Sequence, residues 1–473
     1  MSEEASLTSR TRNGQTTGRS RRVELPRKEL GNLTARPSGL DPVQILEDQG
    51  VGRVTDLLPL RAARMAVDSF AFLRGAAAVM AADLALDPST GLEVQLCGDA
   101  HVSNFGIFAS PERRLVFDVN DFDETLRGPF EWDVKRLAAS LAVSMSQHGA
   151  DRGVEKEVAE AVKAYRTAMV EVANLGDLEV WYQYLDVENN LPKLREMFPG
   201  GPDHTSPADA IVARARRKDS RHAFTKLTGF IDGRLQFVPD PPTVVPLDEL
   251  LLQSGSDRTS PDVIATVLEG YKKSLPTDRA FLLEGFMAVD MARKVVGVGS
   301  VGTRCFLILL LGRSIDDPLI LQVKEALPSV LEPHLGVSGF ETAGQRVVAG
   351  QRLMQTTPDL FLGDVRTAYS QDESHDFYLR QFHDQKASAD LSRAGSIEAL
   401  GAYGQVCAWT LARAHARSGD RAAIAGYLGS GESFDRAIAS WAMAYMERNA
   451  LDHREYLAAI ESGRVVTILE TFS

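Results

Sequence analysis

CGDAHVSNFG, residues 97–106, and FDVNDFDE, residues 117–124, decide how this chain is read. A short apolar strand containing Val94 and Leu96 delivers Asp99 into a loop, and Asn104 follows five residues later. A second apolar strand, Leu115 to Val119, delivers Asp121 and Asp123. One carboxylate, one carboxamide and a pair of carboxylates thus gather at strand ends. Mg²⁺ takes such hard oxygens when phosphates complete its shell, and a phosphoryl-transfer site needs the same set for a base and a metal clamp. Strand alternation puts Val119, Asp121 and Asp123 on one face and Asp118 and Asn120 on the other. Asp121 is therefore the metal ligand in preference to Asp118, with Asp123 assisting. Asp and Asn also end strands for purely local reasons, but this number of them at this spacing favours chemistry.

Composition narrows the class. A chain of 473 residues has room for two or three domains, or for two lobes around a cleft. Its net charge of -12 offers no basic surplus to neutralise a phosphate backbone, which excludes nucleic acid as the main partner. The three cysteines, Cys97, Cys305 and Cys407, are too scattered for a disulfide framework or a zinc set and point to a reducing compartment. Residues 1–40 lack the apolar centre of a signal peptide. The most apolar run, Cys305 to Leu311, is far shorter than the roughly 20 residues of a bilayer crossing. A cytoplasmic protein with no membrane partner is expected.

Residues 1–40, rich in Ser, Thr, Gly and Arg without periodicity, read as a disordered basic tail. From Asp41 the pattern is helical, and Phe70, Leu73, Ala77, Met80, Ala81 and Leu84 recur at three and four on a buried helix. The run EWDVKRLAASLAVSM puts Trp132, Leu137, Leu141 and Met145 on one helix face. Residues 154–290 read as mainly helical, with a Pro-rich break, PDPPTVVP, at 239–246. The texture changes at Lys294, where KVVGVGSVGTRCFLILLLG reads as strand, glycine-rich turn and strand, and DPLILQVKEA as a further strand. Four regions follow: the tail 1–40, a helical lobe 41–290 with the catalytic and metal loops, a β-rich nucleotide-covering lobe 291–386, and C-terminal helices 387–473 packing on the helical lobe. The class is α+β, with an antiparallel sheet in the smaller lobe.

Gly297, Gly299, Ser300 and Gly302 lie in GVGSVG between two apolar strands, and Lys324 sits on the strand after. A lone GxGxxG often marks only a tight turn. A Rossmann site needs a helix after the third glycine, whereas Thr303 to Leu311 is β-branched and apolar. Strand, glycine turn, strand and then a Lys-bearing strand is the arrangement that covers nucleotide phosphates in kinases. A buried Lys there needs a partner, for which Glu332 and Glu341 are candidates. Asp99 and Asn104 have the spacing of the proton-accepting Asp and metal-binding Asn of a kinase catalytic loop. Asp133 caps its helix or braces the loop, and His101 orients the loop. Arg380, Asp384, Lys386 and His415 read as structural salt bridges.

GDAHVSN resembles the GDxHxxN catalytic loop of aminoglycoside phosphotransferases and of choline and homoserine kinases, within the protein-kinase-like superfamily. NDFDE and the EWD of the next helix are similar to the metal-binding segment and trailing Asp of those enzymes, while Cys97 replaces the His usual before Gly-Asp. Residues 41–473 are also similar to the bacterial domain-of-unknown-function family 2252, through FAFLRG, CGDAHVSNFG, NDFDE, GPFEWDVKRLAASL, GVGSVGTR, LQVKEA, GQRVV, RQFHDQK and LARAHARSGD. The first resemblance implies a two-lobed protein-kinase-like fold. Because the glycine turn and Lys324 follow the catalytic loop, that fold is expected to be circularly permuted, which termini close together at a surface allow.

The expectation is an ATP- and Mg²⁺-dependent phosphotransferase acting on a hydroxyl of an unidentified small molecule or protein. Asp99 is its base, Asn104, Asp121 and Asp123 hold metal, and Gly297, Gly299, Ser300, Gly302 and Lys324 hold nucleotide. A pseudokinase-like nucleotide-binding regulatory module, or nucleotidyl transfer from the same site, is the alternative. A metallophosphoesterase is disfavoured, since its several His ligands and GNH-type segment are missing.

Overall fold

The computed structural model describes residues 3–149, 152–197, 207–295, 297, 301–367, 374–382, 385–388 and 396–468, with side chains from residue 12. It is an α+β structure with antiparallel sheets. The helical body is built around helix Phe130–Ser146, which is buried on every side and not only on the apolar face that its periodicity marks. It packs among helices Val154–Val172, Ile397–Ser418 and Ser433–Glu461. Polar groups are tolerated inside because each is matched. Lys135 meets Asp87 at 2.6 Å, Glu131 accepts from Thr90 N at 2.7 Å, and Arg136 reaches Asp99 at 2.8 Å.

Two small sheets lie in this body. Strand Glu93–Leu96 pairs with Leu126–Pro129, and strand Phe105–Ala109 forms a hairpin with Leu115–Val119, extended by Leu185–Asp186. The first pair brings the end of the strand before Asp99 (Leu96) beside Leu126, two residues past the acidic segment.

The larger sheet has six strands in the order Gly363–Thr367, His375–Gln381, Pro318–Glu325, Cys305–Leu311, Met287–Lys294 and Val244–Pro246, all antiparallel. The central strand Cys305–Leu311 is apolar throughout because both faces are covered. Phe306, Ile308 and Leu310 pack with Leu247, Val263 and Tyr271 of the helices between residues 247 and 272, while Leu307 and Leu309 pack with Ala223 and Phe237 on the other side. Period-2 alternation thus feeds two cores from one strand. Helix Ala343–Met354 follows the Lys324 strand and precedes the last hairpin.

Three regional expectations are revised. The sheet and the helices that cover it begin well before residue 291, and Val244–Pro246, Leu247–Gln253, Ser260–Lys272 and Thr277–Leu283 belong with them. The tail expected at 1–40 contains helix Glu3–Glu24, which lies along helix Arg421–Leu428. Its contact is made through small residues and backbone, so no apolar stripe announces it. A Cβ on Gly18 would fall 1.9 Å from the Ala423 carbonyl oxygen, and Arg22 donates to the Gly426 carbonyl at 2.6 Å. The helix read from Phe70 to Leu84 is two helices, Ser69–Gly75 and Ala77–Leu84, broken at Ala76. Among the described residues no helix is long and apolar enough to cross a membrane.

Candidate active-site cleft

Gly98 turns the chain out of its strand at φ +84, and a Cβ there would fall 2.1 Å from the Glu124 carbonyl oxygen. Only glycine fits both constraints. The turn is held from below by Asp133, whose carboxylate accepts from Cys97 N at 2.8 Å and Gly98 N at 3.1 Å. Asp133 in turn faces His415 Nε2 at 3.2 Å, and Tyr165 Oη stands 2.8 Å from His415 Nδ1. This buried relay braces the loop, although Cys97 occupies the position before Gly-Asp. His415 thereby has a structural role through Asp133.

Asp99 extends from the braced loop. Arg136 donates to its Oδ1 at 2.8 Å through Nε, leaving Oδ2 facing His101 Nε2 at 3.7 Å. Burial raises the Asp99 carboxyl above its ordinary range, against the pull of Arg136. Asn104 Nδ2 donates to the Asp99 carbonyl at 2.7 Å, which fixes the carboxamide and leaves its oxygen as the free acceptor. Asn120 N donates to the Asn104 carbonyl at 2.8 Å, tying this loop to the acidic segment.

From the sheet, Lys324 crosses to that acidic segment. Its Nζ lies 3.5 Å from Asp121 Oδ2 and in closer contact with Asp123 Oδ2. Tyr378 Oη donates to Asp123 Oδ1 at 2.7 Å. The partners of Lys324 are therefore these two aspartates. Glu332 instead faces Arg346 at 3.8 Å, and the Glu341 carbonyl accepts from Arg366 at 3.1 Å. Burial alone would raise the Asp121 carboxyl, but Lys324, Arg380 and Lys386 outweigh it and hold that group well below the carboxylate range. Asp123 is pushed up by burial and by the Asp121 charge beside it. Asp121 Oδ1 is buried and accepts no hydrogen bond. Asp118, three residues earlier, is closed off by Arg413 at 2.6 Å.

These groups line one cleft of about 310 Å³, which Asp99, His101, Asn104, Asp121, Asp123, Gly297 and Lys324 share. That volume is within the range of small-ligand sites. Gly302 sits at φ +93 against Arg53, away from the lining, and its carbonyl accepts from Val54 N at 2.7 Å. Gly299 and Ser300, like Asp384, lie outside the described residues.

Other lining residues escape sequence reasoning. Arg380 donates to the Asn120 carbonyl at 2.9 Å and stands over the Tyr378 ring. Lys386 makes no ion pair among the described residues and lines the cleft, so neither is the structural salt bridge expected of it. Burial, then the Arg380 charge, brings Lys386 down to about 7. Arg74 and Gln351 also line the cleft, each with a buried polar atom lacking a partner. Arg74 closes a short helix, where a basic residue usually reads as a solvated cap, so only its place in FAFLRG hinted at more.

A divalent cation can be tested against these donors. Among the described residues no three His, Cys, Asp or Glu side chains stand together as a metal cage. Mg²⁺ does not need one, since it is commonly held by one or two carboxylates with water and substrate phosphates completing the octahedron. The unpartnered Asp121 Oδ1 and the free carboxamide oxygen of Asn104 fit that mode.

The chain matches, over residues 53–459, the family described as "Uncharacterized protein conserved in bacteria (DUF2252)". It belongs to that family. The matched span includes every cleft-lining residue except Gln49. No curated protein and no solved structure matches the chain.

Proposed function

We propose that this protein is a Mg²⁺- and ATP-dependent phosphotransferase of a protein-kinase-like, circularly permuted kind, acting on a hydroxyl group. The meeting of Lys324 with Asp121 and Asp123, in the cleft that Asp99 and Asn104 line, carries the proposal. Two chain segments far apart in sequence supply the charges a phosphoryl-transfer site needs on its two sides. The order within the sheet supports it further. A hairpin whose connection contains Gly297 precedes the Lys324 strand, and helix Ala343–Met354 follows it, as the lysine strand and its helix are arranged in kinases. That helix carries no acidic residue, so the lysine's counter-charge comes from the aspartates.

In this mechanism Asp99, its carboxylate held by Arg136, orients the acceptor hydroxyl and takes its proton. Asp121 and Asn104 would hold the metal, with Asp123 close by. Bound Mg²⁺ supplies charge neutralisation to the phosphates. Lys324 shifts from Asp123 toward phosphate oxygens, and Arg380 and Lys386 add positive charge on the same wall. Gly297 brings bare backbone to the cleft's edge.

The test is incubation with Mg²⁺ and ATP labelled at either the α- or the γ-phosphate, across a panel of hydroxylated acceptors. Release or transfer of γ-label is expected. Transfer of α-label would make the protein a nucleotidyl transferase, and saturable binding without turnover would make it a regulatory module.

A further inference from the structure

The cleft holds two groups of cations, and a nucleotide accounts for only one. Lys324, Arg380 and Lys386 gather around Asp121, within the charge environment that the phosphates would occupy. Arg74 stands apart from them. The charges that act on it are, in order, Asp99, Asp68, Arg136 and Asp121, so it belongs to the base's end of the cleft. It lines the cleft from the last turn of helix Ser69–Gly75, where the chain breaks at Ala76.

Arg74 makes no hydrogen bond or ion pair among the described residues, and its Nε is buried without an acceptor. Arg136 beside it shows what a satisfied guanidinium looks like here, donating to Asp99, to the Leu73 carbonyl at 2.8 Å and to Met80 Sδ at 3.7 Å. A half-buried guanidinium left without an anion is costly, and its five donors suit a carboxylate or phosphate. A second orphan lies on the same wall. His101 is 3% exposed, lines the cleft, and its Nδ1 has no partner. Its Nε2 faces Asp99 at 3.7 Å.

We propose that Arg74 is the anchor for the acceptor, and that the acceptor is a hydroxylated molecule bearing an anionic group, phosphate or carboxylate, with its hydroxyl at Asp99 beside His101. The assignment of this anion as the acceptor rests on the phosphotransferase proposal. The anion site itself rests on Arg74 and His101.

The experiment uses three matched probes, glycerol, glycerate and glycerol 3-phosphate, titrated calorimetrically into the full-length protein saturated with MgADP. At least one anionic probe is expected to bind roughly tenfold or more tightly than glycerol, the scale of a charge-assisted hydrogen bond. Glycerate and glycerol 3-phosphate then separate carboxylate from phosphate recognition. The preference should vanish in Arg74→Gln and survive in part in Arg74→Lys, which keeps the charge. Absence of an anionic preference in the wild type, or an undiminished one in Arg74→Gln, overturns the proposal. Repeating the titrations without nucleotide in Lys324→Met separates the two claims. If MgADP fails to bind the wild type, the phosphotransferase proposal falls, while Arg74-dependent anion binding in that variant would still uphold the site.

Discussion

Asp118 and Asp121 are three residues apart and each pairs with a buried cation, yet their surroundings differ. Asp118 gives both oxygens to Arg413 Nη2 at 2.6 Å and accepts from Val119 N at 2.9 Å, so its capacity is spent inside the helical body. Asp121 faces Lys324 across a cleft at 3.5 Å and keeps one oxygen unpartnered. Pairing with a buried cation does not by itself separate an acid that only holds the fold from one proposed to hold a ligand. Spare acceptor capacity facing an open volume does.

The largest effect should come from Asp121→Ala, which is expected to abolish Mg²⁺-dependent nucleotide binding while leaving the unfolding midpoint close to wild type, because Asp123 still balances Lys324. Calorimetry and denaturant unfolding on one preparation read both quantities. Asp118→Ala is the reverse case. Stranding Arg413 should cost about 3–5 kcal/mol of stability, measured as a lower denaturation midpoint, and a midpoint that does not move would break the contrast.

Lys324→Met sharpens the comparison from the cation's side. Loss of its charge-assisted contact should weaken MgADP binding by roughly ten- to a hundredfold. With the lysine gone, Asp121 and Asp123 repel each other unshielded, so the carboxyl pair should titrate at higher pH, visible by NMR. Unchanged affinity would mean that the phosphates lie elsewhere.

The smallest effect concerns Lys386. Held near 7 by burial and Arg380, it is cationic below that pH and neutral above it. MgADP affinity should therefore fall several-fold as pH rises through 7, with proton uptake on binding seen as a buffer-dependent heat, and Lys386→Gln should flatten both. The stability sign is the opposite. Between about 7 and the ordinary lysine value the unfolded chain binds the extra proton, so this group's contribution to stability rises with pH and is lost as pH falls through 7.

Much of this geometry was legible in the chain because it rests on local rules. Strand ends deliver Asp99 and Asp121, and the apolar run before Lys324 announces a buried strand. The alternation that favoured Asp121 over Asp118 was extended past the end of strand Leu115–Val119, yet the two side chains do point to different surroundings. What escaped depends on tertiary contact. Gly18 packs on Ala423 without an apolar stripe, and the helices at 247–283 cover a sheet formed by residues far along the chain. Arg74 looks like an ordinary helix-end cation until the break at Ala76 turns it into the cleft. Sequence proximity points Lys324 to nearby glutamates, but its partners lie far upstream, Asp121 by 203 positions.

The most direct test of the central claim is a calorimetric titration of ATP into the full-length protein with Mg²⁺, with EDTA, and with Asp121→Ala in Mg²⁺. One nucleotide per chain is expected to bind in Mg²⁺ and to be lost in the other two conditions. Equal binding in EDTA, or undiminished binding by Asp121→Ala, would contradict it.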